Sequence, residues 1–208
     1  MIDKNCEILW LWGYNKLKEI ASMVSKDILL GKQVLLRACM MDDVTERYVG
    51  WLNDPEINQY LETRYKNQTL GTVADYVRAV ADSENEYLFA IVDKESDRHI
   101  GNMHLTINVH HKTCFHAYVI GEKAFWGRGI AKEAIRLITK WAFDNLDIDK
   151  MDGGFYAANI GSGKAVLACG YREEGRRIKQ VLLDNGERCD AIPVGLLREE
   201  YEQIYKTD

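Results

Sequence analysis

Glycines carry the clearest chemical signal in this chain. The segment Phe125-Trp126-Gly127-Arg128-Gly129-Ile130-Ala131-Lys132-Glu133-Ala134 joins an expected strand to a long expected helix. Gly127 and Gly129 let the backbone turn sharply and come close to a ligand. The helix that follows opens with amides that have no intrahelical acceptor, at the positive end of its dipole. Together these features suit an anion, most naturally a phosphate or pyrophosphate. Arg128 and Lys132 add positive charge to a chain whose formal net charge is −5. Taken alone, the same segment also reads as an ordinary turn beside two solvated cations. It is not a dinucleotide fingerprint, because the third glycine is absent and the preceding strand is not the first of a βαβ unit. Nor is Gly161-Ser162-Gly163-Lys164 a Walker loop, since Ala165 stands where a magnesium-binding hydroxyl belongs.

Other chemistry-bearing residues are sparser. His104, His110, His111 and His116 lie close in sequence, and neutral imidazoles bind zinc, but no cysteine pair completes a set. The expectation is no metal. The 5 cysteines include no C-x-x-C pair and are odd in number, which argues against a disulfide framework and favours a reducing cytoplasm. An acidic balance argues against a general nucleic-acid binder. No apolar run is long enough to span a membrane, and Ile8–Trp12 is too short for a signal-peptide core.

The elements that must position these residues follow from periodicity. Residues 1–31 read as an N-terminal extension, partly an amphipathic helix around Tyr14–Val24, and 32–208 as one domain. Gln33–Arg37 is a strand. A helix capped by Asp42 or Asp43 runs through Trp51, and Pro55 opens a short helix to Leu61. Thr69–Ala81 is a helix. Tyr87–Val92, His99–Val109 and Thr113–Ile120 are strands. Gly129–Asn145 carries a helical apolar stripe. Lys150–Tyr156 is a strand, Gly161–Cys169 a helix, and Arg177–Leu183 and Arg188–Leu196 are strands around Asp184-Asn185-Gly186, where Asn-Gly suits a type I′ turn. Glu199–Lys206 closes as a helix. The order implies a mixed α/β domain: a central twisted sheet flanked by helices.

Trp126-Gly127-Arg128-Gly129-Ile130-Ala131 resembles the phosphate loop of the GCN5-related N-acyltransferase (GNAT) superfamily, with Trp126 in place of its first Gln or Arg. Asn159-Ile160-Gly161-Ser162, then Gly170-Tyr171 and Glu174-Gly175, resembles a second, downstream segment of the branch that holds ribosomal-protein N-acetyltransferases. The resemblance spans about residues 33–201. Trp51–Glu56, Tyr60–Arg64 and His111-Lys112 further resemble acyltransferases of nucleotide-linked amino sugars.

The resemblance implies acetyl-CoA or another short acyl-CoA as co-substrate and direct attack by a primary amine, with no metal and no covalent enzyme intermediate. It puts the pyrophosphate on the amides of Gly127 to Lys132 and pantetheine along the backbone of Val119, Ile120 and Gly121. Asn159 and Lys164 are further candidates to touch coenzyme A. An N–H of that strand would stabilise the developing oxyanion. The glutamate that many relatives use as base falls at Phe115, so His116 beside it, or Glu62, is the candidate base. Strand alternation sets His116 on the face opposite Phe115. The tyrosine many relatives use as acid falls near Val166, which leaves Ser162, or Ser162 is a helix cap. Trp51, Asn53, Glu62 and Arg64 are the expected acceptor residues, Arg64 as a phosphate fork. The leading acceptor is a nucleotide-linked amino sugar. A protein N-terminus, an aminoglycoside-like amine, or a non-catalytic acyl-CoA-binding role are the alternatives. A small-molecule amine and a second copy of the chain are the expected partners.

Overall fold

The computed structural model describes residues 28–206. The helix expected around Tyr14–Val24 lies outside the described residues. Leu29–Leu30, expected within the extension, form a short strand β1 paired with β2 (Val34–Ala38). The chain continues through α1 (Glu46–Asn53), α2 (Pro55–Asn58), α3 (Leu70–Ala81), β3 (Glu86–Asp93), β4 (Arg98–Asn108), β5 (Thr113–Ile120), α4 (Ile130–Asn145), β6 (Lys150–Tyr156), α5 (Ile160–Leu167), β7 (Arg172–Glu173), β8 (Arg177–Leu182), β9 (Arg188–Leu197) and α6 (Arg198–Tyr205). The strands form one sheet in the order β1-β2-β3-β4-β5-β6-β9-β7, with β8 also on β9. Pairing is antiparallel except between β5 and β6.

Helices cover both faces. Alternate residues of β3 point opposite ways. Tyr87, Phe89 and Ile91 pack with Ile135, Ile138 and Trp141 of α4, whereas Leu88, Ala90 and Val92 pack with α1 and α3 through Trp51, Val73 and Val77. That double cover explains why β3 reads as a continuous apolar run.

Two local expectations are corrected. Thr45, not Asp42 or Asp43, caps α1, with its hydroxyl accepting from Tyr48 N. Asp43 is instead drawn into a bidentate pair with Arg37 at 2.7 Å and accepts from Met40 N. The Asn185-Gly186 connection is not type I′. Gly186 alone takes a positive φ, +83°, and Gly186 N donates to Leu183 O, which is a three-residue loop ending in a left-handed glycine.

The feature that matters most is a gap. β5 and β6 pair only from Thr113–Phe115 to Lys150–Asp152 and then part. A cleft of about 1020 Å³ opens between them.

Candidate active site

The phosphate loop forms as its glycines dictate. Gly127 and Gly129 take φ values of +72° and +83°, in the left-handed region, and an added Cβ at either would meet nothing among the described residues. Gly129 is the N-cap of α4 and provides no side chain to its first amides. The loop therefore presents main-chain donors to open space, as an anion site requires. Arg128 is exposed and its guanidinium lies over Phe125 at 5.2 Å; Lys132 is exposed too. Trp126 has a structural part: its indole Nε1 donates to Ile120 O at 2.8 Å and fastens the loop to the end of β5. Ile130 is buried and anchors the first turn of α4, and Ala131 is half-buried beside it.

The register of β5 decides which main-chain groups face the gap. Gly121 N donates to Ile100 O at 2.8 Å. Bonded pairs recur at every second residue of an antiparallel ladder. Ala117, Val119 and Gly121 therefore turn their amides toward β4, and Tyr118 and Ile120 turn theirs toward the gap. Of the three residues expected to pair with pantetheine, only Ile120 has a main-chain amide available there. Tyr118, missed in the sequence, supplies the second.

The two faces of β5 separate the candidate proton carriers. His116 packs edge-on to Tyr171 at 5.1 Å, within the core on the α4 side. It is 4% exposed, neither ring nitrogen has a partner among the described residues, and burial pushes its pKa down to about 4. Such an imidazole is uncharged at neutral pH, but it sits on the face away from the α1–α3 side of the sheet. This geometry speaks against the base role expected for His116. Ser162 lies on α5 at the cleft and accepts a hydrogen bond from Tyr118 Oη at 2.9 Å. Burial raises the Tyr118 pKa, so the phenol stays protonated. The cap of α5 is Asn159, whose Oδ1 accepts from Ser162 N at 3.1 Å. Asn159 thus acts as the cap that Ser162 was the alternative for. Lys164 is exposed on α5 and does not line the cleft.

The expected acceptor residues scatter. Glu62 lines the cleft and accepts from Tyr156 Oη. Trp51 is 4% exposed, its indole ring fills the space over Gly121, and Nε1 donates to Glu122 at 3.3 Å. Asn53 clamps a loop, exchanging two 2.8 Å bonds with the main chain of Gln68. Arg64 donates to Leu61 O at 2.8 Å and Leu182 O at 3.2 Å and pairs with Asp184 at 3.3 Å. Its side chain is 2% exposed. Trp51, Asn53 and Arg64 are therefore structural, and the Arg64 fork is already occupied by protein.

Other residues replace them on the α1–α3 side. His104 of β4 stands opposite Ala117 in the register and lines the cleft, with Glu86 behind it and Tyr76 edge-on. Asp152 of β6 pairs in register with Phe115, where the strands part, and burial raises its pKa. Arg177 of β8 also lines the cleft. Strand alternation alone could have separated Tyr118 from Ala117; no local signal links His104 to Ala117. Among the described residues, no group of three or more His, Cys, Asp or Glu could hold a metal ion. None of the described helices is long and apolar enough to cross a membrane.

Comparison with known proteins agrees with this geometry. The family model of the acetyltransferase (GNAT) domain matches residues 33–172. A Bacillus subtilis (strain 168) protein named "Probable N-acetyltransferase YjcK" is 32% identical over 124 residues, covering 59% of this chain and 67% of that protein. A Vibrio cholerae spermidine N-acetyltransferase, solved with CoA and spermine, superposes with a TM-score of 0.74 at 21% identity, covering 82% of this chain and 99% of that one. A ribosomal L7/L12 α-N-protein acetyltransferase, solved with coenzyme A, gives 0.72 at 15% identity, with 82% and 98% covered. At those identities the solved structures share the fold. The family match covers most of the chain, and with the glycine loop, the parted strands and the cleft it shows that this protein belongs to the GNAT family of acyl-CoA-dependent N-acetyltransferases.

Proposed function

We propose that the protein moves an acetyl or short acyl group to the primary amine of a small molecule lodged on the α1–α3 side of the sheet. The observation that carries this reading is the single cleft that crosses the parted strands. It joins the edge amide of Tyr118, one residue pair before that of Ile120, to a largely apolar chamber under α1 and α3. Coenzyme A supplies the activated acyl thioester. The loop amides from Gly127 to Lys132 bind its pyrophosphate, and the Tyr118 or Ile120 N–H polarises the carbonyl, which is commonly a large catalytic term. Holding amine and thioester together removes several kcal/mol of barrier, of order 7 or more in favourable cases. Ser162 delivers the proton that the leaving sulfur needs, and Tyr118, bonded to it, restores that proton.

Two acceptor chemistries have support at the cleft mouth. A nucleotide-linked amino sugar finds a cation in Arg177 and aromatic faces in Tyr60 and Tyr156, although not in Arg64. A polyamine finds the Glu62 carboxylate, held by Tyr156 Oη, beside those same rings, where an ammonium is favoured by charge and by the ring faces. A thiol-release assay with acetyl-CoA decides between them, using spermine, a nucleoside-diphosphate amino sugar, an aminoglycoside and a peptide with a free N-terminus. The proposal expects turnover with spermine or the amino sugar. Turnover with the peptide alone would refute the small-molecule reading. Tight CoA binding without turnover of any amine would favour a binding protein.

A further inference from the structure

Phe115 occupies the strand position where a carboxylate base was expected, so the amine still needs a group to take its proton. Ala117, two residues on and on the same face of β5, has only a methyl group. The space above it is reached from the neighbouring strand by His104, its partner in the β4–β5 register. His104 shares that face with Leu88, its partner on β3, which packs beneath α1 and α3. The ring is three-quarters covered and lines the cleft. Its Nε2 lies 3.5 Å from Glu86 Oε2, with no closer partner among the described residues, and Tyr76 of α3 meets it edge-on at 5.9 Å. Long contacts of this kind tighten when a ligand closes a site. With Nε2 turned to a carboxylate, Nδ1 is the nitrogen left for the cleft.

We propose that His104, oriented by Glu86, is the general base that takes the proton from the acceptor amine. The inference rests on the amine-acetylation reading above. As the amine nitrogen bonds to the thioester carbon and the C–S bond breaks, the ammonium proton passes to His104 Nδ1. The thiolate takes its proton from Ser162, which regains one from Tyr118 and Tyr118 one from solvent, and His104 returns its own to solvent when the product leaves. Glu86 is a positioning residue: it holds the Nε2–H tautomer and offsets the charge on the protonated ring. The groups facing the imidazole are Glu86 from β3 and Tyr76 from α3; Tyr48 of α1 and Asp152 of β6 line the same cleft. Burial holds both tyrosines protonated by raising their pKa values. Burial also lowers the His104 pKa while Glu86 pulls it back up, so the ring is a free base at neutral pH.

The test compares wild type with His104→Gln, Glu86→Gln and Asp152→Asn between pH 5 and 9. Rates are read with the fastest amine of the panel above, or, if none turns over, on the slow hydrolysis of acetyl-CoA by water. A wrong acceptor class then cannot silence the readout. The wild-type rate should fall as pH drops through an apparent pKa below 6.5. His104→Gln should remove that limb and lower kcat at pH 7 by at least about a hundredfold, with the acetyl-CoA KM within about twofold. Glu86→Gln should move the limb to lower pH with a smaller loss of kcat. Ring-nitrogen NMR of the free protein supplies a readout apart from turnover. It should show His104 as the Nε2–H tautomer and a His104 shift in Glu86→Gln. A His104→Gln rate within threefold of wild type, an Nδ1–H tautomer, or transfer of the whole loss to Asp152→Asn would overturn the proposal.

Discussion

Burial sets the acid–base character of the imidazoles of His99, His104 and His116. His116 is enclosed with no partner among the described residues, and desolvation brings its pKa to about 4. The unfolded chain binds that proton near pH 6.5. The ring therefore contributes fully to stability above pH 6.5, and that contribution is lost as pH falls toward 4. Integrated over the shift, the loss is about 3 kcal/mol. His99, also desolvated, adds in the same direction. Urea unfolding at pH 7 and pH 4.5 should show the acid sensitivity in wild type and a flatter response in His116→Leu. An unchanged pH response in the variant would mean that His116 is hydrated in the folded protein.

At the scale of elements, β5 and the start of α4 do most of the positioning. β5 turns alternate main-chain groups to β4 and to the gap, and the Trp126 indole bound to Ile120 O ties the loop to its end. The loop in turn depends on two left-handed glycines. Gly129→Val meets no clash among the described residues, because the added Cβ meets nothing there. Its cost is backbone strain of roughly 1–3 kcal/mol, together with a side chain in the space over the helix amides. Calorimetry with CoA should show affinity reduced by more than about tenfold while the protein stays folded. Unchanged affinity in a folded variant would remove the phosphate site from this loop.

Across the whole molecule, the acceptor chamber is assembled from segments distant in sequence, and Arg64 is one of its ties. It joins the turn at Glu62–Tyr65 to the hairpin of β8 and β9, through Leu182 O and Asp184. Arg64→Ala should therefore destabilise the protein by about 2 kcal/mol through lost charged hydrogen bonds, roughly 4–8 °C in Tm. The amine KM should rise as the wall loosens, with CoA affinity unchanged. A variant with wild-type Tm and a raised amine KM would instead mark Arg64 as a direct ligand of the acceptor.

The sequence alone determined whatever contiguous residues encode. Left-handed turns at Gly127 and Gly129, the apolar stripe of α4, the start of α2 at Pro55 and the bounds of β5 and β6 all follow from local backbone preferences and periodicity. The ordered motifs at Trp126–Ala131 and Asn159–Gly175 were legible for the same reason, and with them the GNAT family and its acyl-CoA chemistry. Alternation even set His116 opposite Phe115. Only the tertiary structure decided who meets whom. Arg64, Asn53 and Trp51 have the residue types of a binding site, but chain segments far away claimed their polar groups first. His104 and Ala117 become neighbours only through the β4–β5 register, and Tyr118 meets Ser162 only because α5 packs against that face of β5. Residue type fixes what a side chain can bond; long-range pairing fixes which bonds are left for a substrate.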